Sequence, residues 1–150
     1  MSAISDIVVF DGAATPVSHT LKAVSVTRSA AEVVAEWREM LSSVPVYAQV
    51  RATAKLSRMK SGVYRCEFRT VVPVMESVTG ANSAGYTAAP KVAYENTFIT
   101  VGLFHERSDA AGRRLARQLG VNVSGGITTT VTPVQTGPLP ELFDLLVMPT

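Results

Sequence analysis

From Val50 to Val71 apolar and polar residues alternate almost without interruption, and few folds accommodate such a run. Val50, Ala52, Ala54 and Leu56 point one way, with Arg51, Thr53 and Lys55 opposite. After Arg58-Met59-Lys60-Ser61-Gly62 the pattern resumes, with Tyr64, Cys66 and Phe68 on one face and Arg65, Glu67 and Arg69 on the other. A two-residue period is that of a strand, because successive side chains leave opposite faces. Two such runs around a short Gly-containing loop predict an antiparallel hairpin. One face then packs on a core, and the other carries charge. Six basic residues and one acid between Arg51 and Arg69 give a local charge of +5. That is the footprint of a polyanion-binding sheet rather than of a catalytic cleft.

The whole chain carries only +2, so a basic surface has to arise from uneven distribution. With 150 residues, 47% hydrophobic and 17% charged, it reads as one globular domain and not a disordered tail. The single cysteine, Cys66, lies on the apolar face of its strand, which predicts a buried, inert thiol and no internal disulfide. No apolar run approaches the ~20 residues of a membrane span. Residues 1–6 lack the charged and apolar regions of a signal peptide. The expectation is a chain made and kept in a reducing, soluble compartment.

Elsewhere the pattern predicts an N-terminal hairpin within residues 1–27, from Ile7 to Phe10, the Asp11-Gly12 turn and a strand over Val17 to Val26. Residues 29 to 41 have apolar residues at helical spacing, and propensity alone favours a helix there. A turn-rich segment, residues 75–90, precedes a long strand from Val92 to Phe104. That strand carries Thr97, Ile99, Val101 and Leu103 on one side and Tyr94, Asn96, Phe98 and Thr100 on the other. Residues 108–119 read as a helix capped by Ser108 and stopped by Gly120. Beyond it, residues 121–134 read as a small hairpin, and Glu141 to Val147 as a short amphipathic helix. Strands followed by helices make an α+β architecture.

One helix of about three turns spans only ~16 Å, too little to cover the apolar face of a five- or six-stranded sheet. A second copy contributing its own helix solves this, so the chain reads as an obligate homodimer.

Catalytic and metal chemistry find little support. His19 and His105 stand in no motif with a second ligand at metal spacing, and no glycine-rich loop leads into a helix. Glu32, Glu36 and Glu39 read as a solvated acidic edge. No cofactor, metal or enzymatic activity is expected. Nucleic acid fits better: Arg51, Lys55, Arg65 and Arg69 suit phosphates, Tyr94 offers a ring for stacking, and Asn96 has a donor and an acceptor for a base edge. The plain alternative is an ordinary solvated sheet face.

Val34-Ala35-Glu36-Trp37, the basic hairpin closing in Val72-Pro73, Tyr94-Glu95-Asn96 running into Ile99-Thr100-Val101, and Phe104 with Ser108-Asp109 follow one another in an order and spacing that resembles the coat proteins of the single-stranded RNA bacteriophages, the levivirus family. The similarity runs from about Ile7 to Gly120. It implies an N-terminal hairpin, a main five-stranded antiparallel sheet over residues 34–104, and C-terminal helices that clasp a partner subunit, two sheets joining as ten strands. The resemblance also implies a strand at Val34 to Trp37, and sheet context often overrides weak helix propensity. Residues 121–150 then hold an insertion and the last helix.

By the same resemblance, the residues that hold an RNA hairpin fall on Val34, Arg51, Thr53, Arg65, Glu67, Tyr94 and Asn96, with Lys55 and Arg69 on the surrounding basic face. Arg51 and Arg65 stand where threonines are expected, and Glu67 where a lysine is. The implied function is a capsid subunit that assembles through dimers into an icosahedral virion around genomic RNA, in the bacterial host cytoplasm. It also implies repression of replicase translation through that hairpin. The other reading is a dimeric cellular RNA-binding regulator that forms no shell.

Overall fold

The computed structural model describes residues 3–77, 80, 85 and 89–150. Six strands form one antiparallel meander in chain order: β1 (Ile7–Phe10), β2 (Ser18–Arg28), β3 (Glu32–Arg38), β4 (Arg51–Arg58), β5 (Val63–Met75) and β6 (Val92–His105). Helices α1 (Ala110–Gly125) and α2 (Pro138–Leu145) follow. The basic hairpin is β4 and β5, paired from Arg51 opposite Val71 to Arg58 opposite Tyr64. Most of the turn-rich stretch at 75–90 lies outside the described residues. Its base is closed by the Glu76 amide donating to the Lys91 carbonyl at 2.8 Å.

The segment with helical spacing is strand β3, as the resemblance implies. Both neighbours hold it: β2 pairs Val26 with Ala35, and β4 pairs Ala54 with Ala35 and Ala52 with Trp37. Ala35, Ala54 and Cys66 are fully buried beside Trp37, and their small side chains let α2 sit close. Leu142, Phe143 and Met148 fill that space. The Trp37 indole N–H donates to the Ser5 carbonyl (2.8 Å), so the largest core side chain has its one polar group satisfied. Gly102 on β6 admits the Phe143 ring, since a Cβ there would lie 2.6 Å from the Phe104 ring and 3.0 Å from Phe143 Cδ1.

The C-terminal tail continues this cover. Arg28 donates to the Pro149 carbonyl (3.0 Å), and the Ile4 amide donates to the Thr150 carbonyl (2.9 Å). Part of the apolar sheet face is therefore roofed by the chain's own α2 and tail.

The C-terminal expectations need correction. Asp109, not Ser108, is the N-cap of α1, and its carboxylate accepts from the Gly112 amide (2.6 Å). The helix does not stop at Gly120: it runs to Gly125 and ends at Gly126, whose φ of 62° is left-handed. A mid-helix glycine costs only about 1 kcal/mol, less than the continuing turns contribute. Accordingly no hairpin forms over residues 121–134, and α2 starts at Pro138 rather than Glu141. Gly126→Ala places a Cβ in the left-handed region, so urea denaturation is expected to show a loss of about 1–2 kcal/mol.

Two surfaces stay open. β6 is the longer of the two outer strands, and Phe98 (64% exposed), Leu103 (60%) and Ile99 (49%) leave both of its faces bare. Helix α1 packs mainly on α2, and its stripe of Leu115, Leu119 and Val123 is exposed.

Candidate nucleic-acid interface

The sheet face away from α2 is built by alternation. Glu32, Val34, Glu36 and Arg38 come from β3, Arg51, Thr53, Lys55 and Ser57 from β4, and Arg65, Glu67, Arg69 and Val71 from β5. The register sets Val34 opposite Lys55 and Thr53 opposite Arg69. Seven expected site residues, Val34, Arg51, Thr53, Lys55, Arg65, Glu67 and Arg69, thus share one surface.

Tyr94 and Asn96 do not join them. They pair with Val74 and Val72, whose side chains lie on the other face. Glu95, between them, pairs with Pro73 and accepts from Arg51 at 2.6 Å, which fixes the parity of β6. The sequence hides this because a register irregularity separates Met75–Val92 from Val74–Tyr94, and a one-residue slip moves every side chain to the opposite face.

The face is also less cationic than the hairpin alone suggests. Arg38, Arg51, Lys55, Arg65 and Arg69 meet Glu32, Glu36, Glu67 and Glu95. Lys55 pairs with Glu32 (2.5 Å) and Arg65 with Glu67 (2.7 Å). These pairs are between about one-fifth and one-half exposed, and such pairs contribute about 0–1 kcal/mol. An arriving phosphate can therefore take over an arginine or lysine at little cost.

Other ionisable groups serve the fold. Burial pushes the Cys66 thiol up to about 12, which makes it the inert group expected. Among the described residues no cluster of three or more His, Cys, Asp or Glu side chains suits a metal ion. The His105 ring accepts from the Arg107 amide (3.2 Å) at the end of β6.

His19 is less ordinary. Its Nδ1 meets the buried Glu39 carboxylate at 2.9 Å and its Nε2 faces Asp11 at 3.5 Å. The Glu39 hydrogen bond outweighs desolvation and, with Asp11, raises the imidazole above its ordinary 6.5. A raised folded value means the stabilisation is fully present below the unfolded value and is lost as pH rises through the folded one. The His19 ring protons should titrate by NMR with a midpoint above 6.5. The melting temperature of the wild type, relative to His19→Gln, should fall over that same interval.

One charged cluster escaped the sequence reading. Arg113, Arg114 and Arg117 converge on α2: Arg114 and Arg117 hold the buried Asp144 carboxylate at 2.9–3.0 Å, and Arg113 donates to the Asp144 carbonyl at 2.8 Å. The signal was present as a lone acid inside Leu142-Phe143-Asp144-Leu145-Leu146 and arginines at i, i+4 spacing.

Set beside known proteins, this architecture has clear relatives. The profile of the Levivirus coat protein family matches residues 2–136. The coat in the virus-like particle of bacteriophage EMS014 superposes with a TM-score of 0.73 at 31% identity, covering 99% of both chains. The chain belongs to the levivirus coat protein family.

A second structure of the bacteriophage EMS014 coat protein gives 28% identity and a TM-score of 0.67, again over 99% of each chain. The virus-like particle of Beihai levi-like virus 21 gives 26% identity and 0.65, covering 87% of this chain and 98% of that one. No curated protein sequence matches. As a levivirus coat protein the chain is a structural, non-enzymatic component of the virion, and the six-stranded sheet with C-terminal helices is the family's fold.

Proposed function

We propose that this coat protein dimerises through β6, assembles into an icosahedral shell in the host cytoplasm, and holds genomic RNA on the face built by β3, β4 and β5. The supporting observation is the long outer strand. Over its fourteen residues the outer edge offers unpaired backbone groups at alternate positions and bare apolar side chains on both faces, a liability unless another chain covers them. A second β6 alongside satisfies the edge, and α1 reaches across so that Leu115 and Leu119 fall on the partner's sheet. The groove there, about 820 Å³ and lined by Phe98, Thr100, Gly102 and Ala116 among others, is the natural seat.

RNA sits on the opposite face, with Arg51, Lys55, Arg65 and Arg69 on phosphates and Glu67 available to base edges. A hairpin so held would also silence replicase translation. Tyr94 and Asn96 lie on the helix side, so base stacking on Tyr94 has no support from this arrangement.

The test is expression of the full chain in bacteria, a sizing column, negative-stain images of the void fraction, and absorbance at 260 and 280 nm. Uniform particles rich in nucleic acid bear the reading out. A dimer that forms no particles returns the RNA-binding regulator.

A further inference from the structure

The charge lattice on the polar face is balanced at one end and not at the other. Where Val34, Lys55 and Glu67 align, and again where Glu32, Ser57 and Arg65 align, the cations meet carboxylates. In the next two rows Arg38 stands directly opposite Arg51, and Arg69 opposite Thr53. Like charges placed opposite each other across a strand pair destabilise it.

Little compensates them. Arg51 has Glu95, but Arg38 and Arg69 make no ion pair among the described residues. The nearby Glu36 accepts from the Ser25 hydroxyl (3.3 Å). The Arg38 Nε–H is shielded from solvent and has no acceptor, a cost the folded chain carries unrelieved. Arg38, Arg51, Arg69, Thr53, Glu36 and Val71 are among the residues that line a depression of about 280 Å³.

Guanidinium forks grip phosphate oxygens in pairs, and a shared anion converts their mutual repulsion into attraction. We propose that Arg38, Arg51 and Arg69 form a seat for one backbone phosphate of bound RNA, with the Thr53 hydroxyl donating to it. This rests on the RNA-binding reading above and adds Arg38, a residue that neither the sequence pattern nor the resemblance singles out. Glu36, opposite Thr53, also lines the depression and leaves it with three cations against one carboxylate, which suits a single phosphate and fixes where the strand crosses the sheet. Phosphate contacts of this kind position RNA without reading its sequence.

The experiment measures binding of RNA-free, full-length protein to a fluorescent 20-nucleotide single-stranded RNA between 50 and 200 mM NaCl. Arg38→Gln is expected to weaken binding about tenfold at 100 mM and to reduce the salt slope by about one contact. Arg69→Gln should do the same, and Arg107→Gln, in the turn after β6, should change affinity less than twofold. Circular dichroism establishes that each variant is folded, and either arginine variant suffices. Wild-type binding that survives both substitutions with its slope intact overturns the seat and leaves the RNA-binding reading standing. Absence of wild-type binding at every salt overturns both. Sodium phosphate is expected to displace RNA beyond the effect of chloride at equal ionic strength in the wild type and not in Arg38→Gln, because free phosphate competes with the backbone phosphate for the seat; equal displacement in both overturns Arg38 as part of it.

Discussion

Asp144→Asn is expected to lower the unfolding free energy by about 3–5 kcal/mol, the cost of removing one partner from a buried ion pair. The Asp144 side chain is fully buried, while Arg114 and Arg117 are 27% and 16% exposed. Its two oxygens accept three N–H groups, and Arg117 also donates to the Val134 carbonyl (2.9 Å). Without the carboxylate, two guanidiniums stay in a half-dry site between α1 and α2 with their shared ion-pair partner removed. The loss should therefore appear as detachment of α1 rather than as softening of the sheet. Urea denaturation read by circular dichroism gives the total, and hydrogen exchange of the α1 amides gives its location. A loss under 1 kcal/mol would mean that solvent screens the cluster.

The same cluster sets the acid response. Burial opposes ionisation of Asp144, but hydrogen bonds and charge from Arg117 and Arg114 outweigh it and hold the carboxyl below its ordinary value of 3.8. A lowered folded value gives stability that is present above the unfolded value and disappears as pH falls through the folded one. Below pH 4 the wild type should lose stability progressively, and Asp144→Asn should lack this contribution. Replacing Asp144, Arg114 and Arg117 together by apolar residues of similar volume should recover most of the loss, because the desolvation cost leaves with the charges.

How far the sequence reveals this molecule depends on how short the connections are. In the basic hairpin a turn of a few residues carries the alternation from β4 into β5, so both faces are legible and Ala52, Ala54 and Cys66 are indeed core. Some sixteen residues of sequence separate the end of β5 at Met75 from the start of β6 at Val92, and no pattern in them records which face of β6 is which. The sequence therefore does not record that Tyr94 and Asn96 share the helix-side face. The +5 of the hairpin was real, yet Glu32 and Glu95 approach it from other strands, so a count along the chain overstates the charge of the surface. Gly120 marks a weak helix position and not an end, since only Gly126 adopts the left-handed conformation that terminates α1. Val33, Val34 and Trp37 illustrate the opposite limit: their spacing is helical, and pairing on both sides makes the segment a strand.

The open surfaces of β6 and α1 lead to the second large effect. Phe98→Asp should leave the single chain's fold nearly untouched, because Phe98 is 64% exposed there and such surface substitutions fall within about 0.5 kcal/mol. In the proposed dimer the same position lies in the groove that the partner's α1 fills. Two phenylalanines, one from each copy, then lose burial worth about 1.5–3 kcal/mol apiece. Together that is about 3–6 kcal/mol, or roughly 10²–10⁴ in the dimer constant. Two carboxylates brought into a dry contact without partners add to the penalty. The expected result is a chain with a native circular dichroism spectrum that elutes as a monomer and yields no particles. Particle yield equal to the wild type would show that assembly does not use this strand, and the cover for β6 would have to be sought elsewhere. A variant that fails to fold even in isolation would carry a different meaning: β6 would depend on its partner during folding, and the dimer would be obligate in the strict thermodynamic sense.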